Sequence, residues 1–375
     1  MKILILGGGL QGLCCGKSFY NKGYIVDIVS NDLQIRKSKF FNNIYSNINP
    51  TDDSCVYDLL GKECYDVLIP MGDVVVSFLS KNKNKIESIY GCKCACPNYD
   101  MLSVVEDKNT FMEFCDKNNI PHPTTLPLNS ETIEHCIREI GFPSLIKPNY
   151  SVGARGITKV DTKTELEKKY LEVIDKFGTC TLQEFIDNND YYYNVMLYRS
   201  RNGNILAYTI IKIVRMYPID AGSSSCCISV ENDELLKICK DCLDKLNWVG
   251  IADFDVLQRL DNGEYKIIEL NPRVPASLKA ANISGINFPE IIALDTIGKS
   301  VPEYIYCTNK TMRYLGIDIM WFLKSSKRFK TIPSWFAIFG KNIYYQDIYK
   351  EDISTWWTWL VEGLKKIGKR NKRLR

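Results

Sequence analysis

The chain has 375 residues, enough for two or three domains at roughly 100–200 residues each. Its 45% hydrophobic and 25% charged residues supply a packed core and exclude wholesale disorder. The net charge is +4, but residues 361–375 alone carry +6, which leaves a nearly neutral body and excludes the balance of a nucleic-acid-binding domain.

In chain order, Lys2 to Leu6 is a short apolar run ending in Gly7-Gly8-Gly9-Leu10-Gln11-Gly12, followed by a helical stretch to about Lys22 and a second strand from Tyr24 to Ser30. This β-α-β opening fits the Gly-x-Gly-x-x-Gly dinucleotide fingerprint. The acidic residue that a ribose would need is poorly placed, because Asp27 is mid-strand and Asp32 lies beyond it. The glycines then serve either a dinucleotide or only the tight turn and helix packing, and no NAD binding is expected. Val67 to Pro70 continues the alternation, which builds a parallel sheet.

After Asp100 the pattern predicts helices over Glu106–Lys117 and Ser130–Ile140, and a strand from Phe142 to Pro148 that runs into the loop Ser151 to Gly156. Strands follow over 181–186, 192–200, 205–214 and 251–259, with a helix over 234–246. Asn262-Gly263 is a hairpin turn leading to the strand Tyr265 to Leu270.

Two histidines, His122 and His135, exclude a His-rich metal site. The 15 cysteines follow no recognisable export signal, so reduced thiols and a cytoplasmic location are expected. Cys239-x-x-Cys242 and the cluster Cys92, Cys94, Cys96 lack the second half of a zinc site and are structural or incidental, with metal or redox roles as the alternative. No apolar run reaches the roughly 18 residues of a spanning helix.

The chemistry concentrates in the hairpin. Asp253 and Asp255 are two apart on one strand, and Glu269 and Asn271 two apart on its partner, so each pair shares a face. Asp255, Glu269 and Asn271 are hard oxygen donors that suit Mg²⁺ bridged to nucleotide phosphates better than zinc. A solvated acidic hairpin is the plain alternative. Pro272 ends the strand, and Arg273 adds a permanent cation beside the donors. Lys147 followed by the small-residue loop offers one charge and free backbone N–H groups to phosphates, or is a surface turn.

Taken together, these motifs resemble the ATP-grasp superfamily, of the carbamoyl-phosphate-synthetase-like, carboxylate–amine ligase type, from Met1 to about Gly298. The resemblance implies an α/β fold: a Rossmann-like domain (1–105), then a two-part ATP-grasp fold with an α+β lid (106–185) and a central part with an antiparallel sheet (186–300). A Trp-rich, basic extension (301–375) follows. Lys108 would be the first phosphate-contacting base and Lys147 the second. Ser151, Gly153, Ala154, Arg155 and Gly156 would cover the phosphates. Gln183, Glu184, Phe185 and Ile186 would form the adenine hinge, with Leu270 also against the nucleotide. Asp190 stands where the family has a ribose-binding Glu. Asp255, Glu269 and Asn271 would hold Mg²⁺ (two ions, with Mn²⁺ as a substitute), Arg273 would be catalytic, and Arg215 would hold the acceptor carboxylate, with Lys212 a rival.

The implied reaction is amide formation between a carboxylate and an amine through an acyl phosphate, consuming ATP and releasing ADP and phosphate. A carboxylating or carbamoyl-phosphate-type enzyme, or a nucleotide-binding protein without catalysis, are the alternatives. Small molecules are the expected partners, nucleic acid is not, and a homodimer stays open. The extension holds Trp321, Trp335, Trp356, Trp357 and Trp359 ahead of the basic end. These either cover a core or give a weak peripheral membrane contact through the tail.

Overall fold

The computed structural model describes residues 1–353 apart from 152, 154, 189, 220 and 221, together with 355 and 357. The chain forms two compact units. Among the described residues, one comprises Met1–Cys96, Arg273–Tyr306 and those from Tyr344 on; the other comprises those of Pro97–Pro272 and Cys307–Ile343.

The first unit opens with β1 (Lys2–Leu6), α1 (Gly9–Asn21), β2 (Ile25–Val29), β3 (Asn43–Tyr45), α2 (Asp53–Lys62), β4 (Val67–Pro70), α3 (Asp73–Tyr90) and β5 (Lys93–Cys94). The strands form a parallel sheet in the order β3-β2-β1-β4-β5. Ile3 to Leu6 are wholly buried, as a continuous apolar strand covered on both faces must be. Asp27 is inside this sheet. Its carboxylate accepts from the Asn43 backbone and side-chain nitrogens (3.0 Å each) and from the Tyr65 hydroxyl (2.8 Å), so it pins β2 to its surroundings.

The second unit begins with α4 (Tyr99–Glu106) and α5 (Lys108–Lys117). The sequence pattern predicts one helix from Glu106, but Asp107 is extended and its carboxylate caps the new helix by accepting from the Thr110 N–H at 2.9 Å. Next come β6 (Thr125–Leu128), α6 (Ile133–Ile140), β7 (Ser144–Pro148), β8 (Thr158–Val160), α7 (Lys163–Phe177) and β9 (Cys180–Glu184). They make an antiparallel sheet, β6-β9-β7-β8, over a core that includes Ile146, Leu166, Tyr170 and Leu182.

The chain continues through β10 (Tyr192–Arg199), β11 (Ile205–Tyr217), β12 (Ser223–Ser229), α8 (Asp233–Lys245), β13 (Gly250–Gln258) and β14 (Tyr265–Asn271). After α9 (Leu278–Ile283) and α10 (Phe288–Thr296) in the first unit, β15 (Thr311–Arg313), α11 (Leu315–Lys324) and β16 (Ile343–Tyr345) complete the pattern. The large sheet runs β14-β13-β10-β11-β12-β15-β16, and its paired strands from β14 to β15 are antiparallel. The α/β architecture of one parallel and two antiparallel sheets is the one the sequence implies.

All 15 cysteines are free thiols, and all but Cys55, Cys64 and Cys307 are buried. Burial pushes Cys14, Cys92 and Cys180 up to about 11, which makes them poor nucleophiles. Among the described residues no group of three His, Cys, Asp or Glu side chains converges for a metal, and no helix is long and apolar enough to cross a membrane.

Candidate functional site

The hairpin of β13 and β14 carries the three oxygen donors. Asp255 lies opposite Glu269, and Asp253 opposite Asn271. Nearer the turn the register slips, so that Val256 faces Ile267 and Gln258 faces Tyr265. Ile268 is therefore the extra residue of a β-bulge. The turn register carried straight on would place Asp255 opposite Ile268 and send Glu269 and Asn271 to the other face. The bulge restores both to the face of Asp255. Asn262-Gly263 do not form a two-residue turn as the sequence predicts. The connection is longer, closed by Arg259 N–H donating to Glu264 O at 2.9 Å, with Gly263 at φ +78°.

Two residues that sequence reasoning missed complete this face. Asn194 on β10 lies opposite Asp255, and its Nδ2 donates to Asp255 Oδ1 at 3.1 Å. Its own Oδ1 is a buried oxygen without a hydrogen-bond partner among the described residues. Tyr192 lies within reach of the same carboxylates; burial first, then Asp255, Asp253 and Glu269, hold its phenol well above the ordinary range. It remains a neutral donor beside the acids. The only sequence signal for either was membership of the adjoining strand. Asn271 Nδ2 donates to Asp253 O (3.3 Å) and Asp255 Oδ2 (3.4 Å), which fixes the amide plane.

Two lysines face this acidic set. Lys108 begins α5; its Nζ is 3.2 Å from Glu269 Oε1 and donates to Ser151 O at 2.8 Å. Lys147 ends a strand that is paired on both sides, opposite Thr181. It is buried, and burial lowers its ammonium to about 8 against the opposing pull of Glu269 and Asp255, with Lys108 lowering it further. The loop that follows contains Gly153 (φ +63°) and Gly156 (φ +79°). A Cβ on Gly156 would fall 2.7 Å from Phe177 and Pro148, so close packing as well as the backbone angle demands glycine there. Ser151 and Arg155 lie on the same loop; Ala154 is outside the described residues.

At the expected hinge, Gln183 is buried and its Nε2 donates to Thr125 Oγ1 at 2.8 Å. The Glu184 carboxylate pairs with Arg259 and accepts from the Thr124 N–H at 3.2 Å, while the Glu184 N–H donates to Thr124 O. Glu184 is thus held within the fold. Lys159 lies over the Phe185 ring at 4.6 Å, and Ile186 and Leu270 are buried. Asp190 has a positive φ of 63° and pairs with Lys327.

Arg215 lies inside the second unit. Its side chain is fully buried and grips Asp318 with two hydrogen bonds, Nε to Oδ1 at 2.8 Å and Nη2 to Oδ2 at 3.0 Å. Arg313 Nε donates to the same carboxylate at 2.8 Å, and Trp321 covers the Arg215 guanidinium at 5.3 Å. Lys212, its rival, lies over the Tyr191 ring at 3.5 Å. Arg273 belongs to the first unit, where its Nε lies 3.1 Å from Asp73 Oδ1. Because β14 ends at Asn271, strand alternation does not reach Arg273.

Residues 105–277 match the family model of the ATP-grasp domain. Over 295 residues the chain is 23% identical to the D-aspartate ligase of Enterococcus faecium, which covers 72% of this chain and 70% of that protein. It is also 24% identical to the carbamoyl phosphate synthase large chain of Methanocorpusculum labreanum over 81% of its own length, but spans only 31% of that relative. Among solved structures, biotin carboxylase from Campylobacter jejuni, a β,γ-ATP complex, superposes with a TM-score of 0.70 at 18% identity, covering 83% of this chain and 74% of that one. N5-carboxyaminoimidazole synthetase from Staphylococcus aureus does so at 0.70 and 16%, covering 86% and 84%. The lysines, the loop and the acidic hairpin all lie inside the span, residues 105–277, that matches the ATP-grasp domain.

Proposed function

We propose that this chain is an ADP-forming, ATP-dependent ligase that joins a carboxylate to an amine through an acyl phosphate. The observation that supports it best is the gathering of Lys108 and Lys147 on the acidic set of Asp255 and Glu269. Two cations opposite two carboxylates can exchange partners. The lysines turn to phosphate oxygens, and the carboxylates are released to a divalent cation. Asp255, Glu269 and Asn271 fit such an ion, because all are hard oxygen donors and the orphaned Asn194 Oδ1 adds a fourth oxygen nearby. When bound, Mg²⁺ supplies Lewis-acid neutralisation of charge on the phosphate oxygens.

The protein's own part is to bind and orient. In this reading 106–185 is the lid and 186–300 the central part; Lys108, Lys147 and the loop from Ser151 to Gly156 hold the phosphates. The backbone from Gln183 to Ile186 and Leu270 line the base, and Asp190 exchanges Lys327 for a ribose hydroxyl. Lys147, poised near neutrality by burial, gains its full charge against phosphate. Arg273 steadies the charge that develops as phosphate is transferred, which is catalysis by positioning and electrostatics without a histidine.

The fold neighbours include carboxylases, so bicarbonate is the second substrate class to test. The purified chain is incubated with Mg-ATP and a panel of carboxylates, each with and without amines, and with bicarbonate. Release of ADP and phosphate that requires both a carboxylate and an amine supports the ligase. Release with bicarbonate alone transfers the reading to the carboxylating class. AMP and pyrophosphate as products overturn it.

A further inference from the structure

The chain from Ile319 to Gln346 contains no Asp or Glu, yet it holds Lys324, Lys327, Arg328, Lys330 and Lys341. It also holds the most exposed apolar side chains of the second unit. Phe339 is 91% exposed, Ile332 85% and Phe329 72%, with Leu323 and Phe336 also exposed. Two of them, Phe329 and Phe336, belong to one aromatic cluster. Phe322 contacts Phe329 and Phe336 at 5.7 Å each between ring centroids, and Phe329 stacks on Phe336 at 6.3 Å. Trp335, whose Nε1 donates to Asp318 O at 3.1 Å, anchors Phe322 at 4.3 Å. The buried pairing of Asp318 with Arg215 and Arg313 ties α11 and the segment after it to the sheet, so the rings stand on a fixed base. A contiguous apolar surface of this kind in water marks an interaction site.

We propose that residues 319–341 form a docking surface for an anionic lipid bilayer. The reasons are the sign of the charge and how closely it is mixed with the rings. At a protein interface charged residues are depleted from the apolar centre and collect at the rim. Here they alternate along the chain: Leu323-Lys324, Arg328-Phe329-Lys330, then Phe339-Gly340-Lys341. A bilayer surface accepts that mixture. Rings enter the acyl boundary while lysine stems rise beside them to place ammonium groups among the phosphates. Among the described residues, Lys327 is the one of these cations with an acidic partner, Asp190. The sequence offers membrane contact through the basic tail as one of two alternatives, and residues 358–375 lie outside the described residues; the proposal here places the contact on a folded segment. The proposal does not rest on the ligase reading.

The test is flotation of the full chain with vesicles of phosphatidylcholine carrying about a third phosphatidylserine, against pure phosphatidylcholine. Wild type is expected to float with the anionic vesicles and to be released by salt. The double variant Phe329→Ser/Phe339→Ser, and separately Lys324→Glu/Lys330→Glu, should each lower partition about tenfold or more with an unchanged melting temperature. A variant with the basic residues of 361–375 replaced by serine should keep the dependence on the rings. Flotation unaffected by the ring variant, flotation lost only with the tail charges, or absence of flotation overturns the proposal. A wild-type dimer abolished by Phe339→Ser, with no vesicle binding, would assign the face to a second copy instead.

Discussion

The molecule carries two glycine-marked loops that both read as phosphate cradles in the sequence, and they differ in what faces them. In the first unit, Gly7-x-Gly9-x-x-Gly12 turns into α1, the helix N-terminus that an anion would seek. That place is taken by the chain itself: the Gly9 N–H donates to Asp32 Oδ2 at 2.5 Å. A Cβ on Gly8 would lie 2.4 Å from the same carboxylate oxygen and 2.2 Å from Ser30 Oγ. In the second unit the loop from Ser151 to Gly156 faces cations, with Lys108 bonded to its Ser151 carbonyl. Glycines make room for a phosphate, but the charge across the gap decides whether one is wanted.

The largest effect is expected from the acidic hairpin. Glu269→Gln keeps the shape but removes one of the two carboxylate charges that the proposed function gives to a divalent cation, and should lower turnover at least about 100-fold with the fold intact. Near-wild-type activity in a steady-state assay would put the metal elsewhere and break the contrast. Arg273→Ala and Arg273→Lys should each lower kcat about 100-fold with ATP affinity almost constant, because a fixed planar cation acts on developing charge and an ammonium does not copy it. Collapse of ATP affinity with kcat preserved would make Arg273 a nucleotide anchor.

A smaller effect sharpens the role of Lys147. Its ammonium stands at about 8, so near pH 8 about half of the molecules are neutral there. Phosphate oxygens favour the charged form and raise that value. Nucleotide binding at pH 8 should therefore take up as much as about 0.5 proton, fading to none near pH 6 where Lys147 is already charged. Calorimetry in buffers of different ionisation enthalpy reads this directly, and Lys147→Met should abolish it. The smallest effect is in the first unit. Asp32→Ala removes the acceptor at the start of α1 and should cost about 1 kcal/mol in denaturant unfolding. In both proteins titration with NADH should show no saturable binding; tight binding by wild type would erase the difference between the loops.

Much of this was legible along the chain because the signals are local. The alternation of strand and helix in 1–96, the fourteen-residue step from Asp255 to Glu269, and the lysine at the end of β7 each depend on residues near one another in sequence. What the chain order does not announce is a distant partner. Arg215 looks like a strand charge available to a substrate, yet Asp318, 103 residues later, takes its guanidinium. Glu184 looks like a hinge acid, yet Arg259 holds it. No periodicity announces such pairings.

The sequence by itself determined which residue types stand at the ends of which strands, and so the class of fold and the chemistry it can support. Only the tertiary structure decided which of them meet. The bulge at Ile268 returns Glu269 and Asn271 to the face of Asp255, and β10 brings Asn194 and Tyr192 against them. Likewise, Phe329 and Phe339 are apolar in any listing of the chain, but only the packed fold leaves them in water. The physical reason is common to these cases: backbone period is a local property, whereas register, burial and charge pairing are settled between segments far apart in the chain.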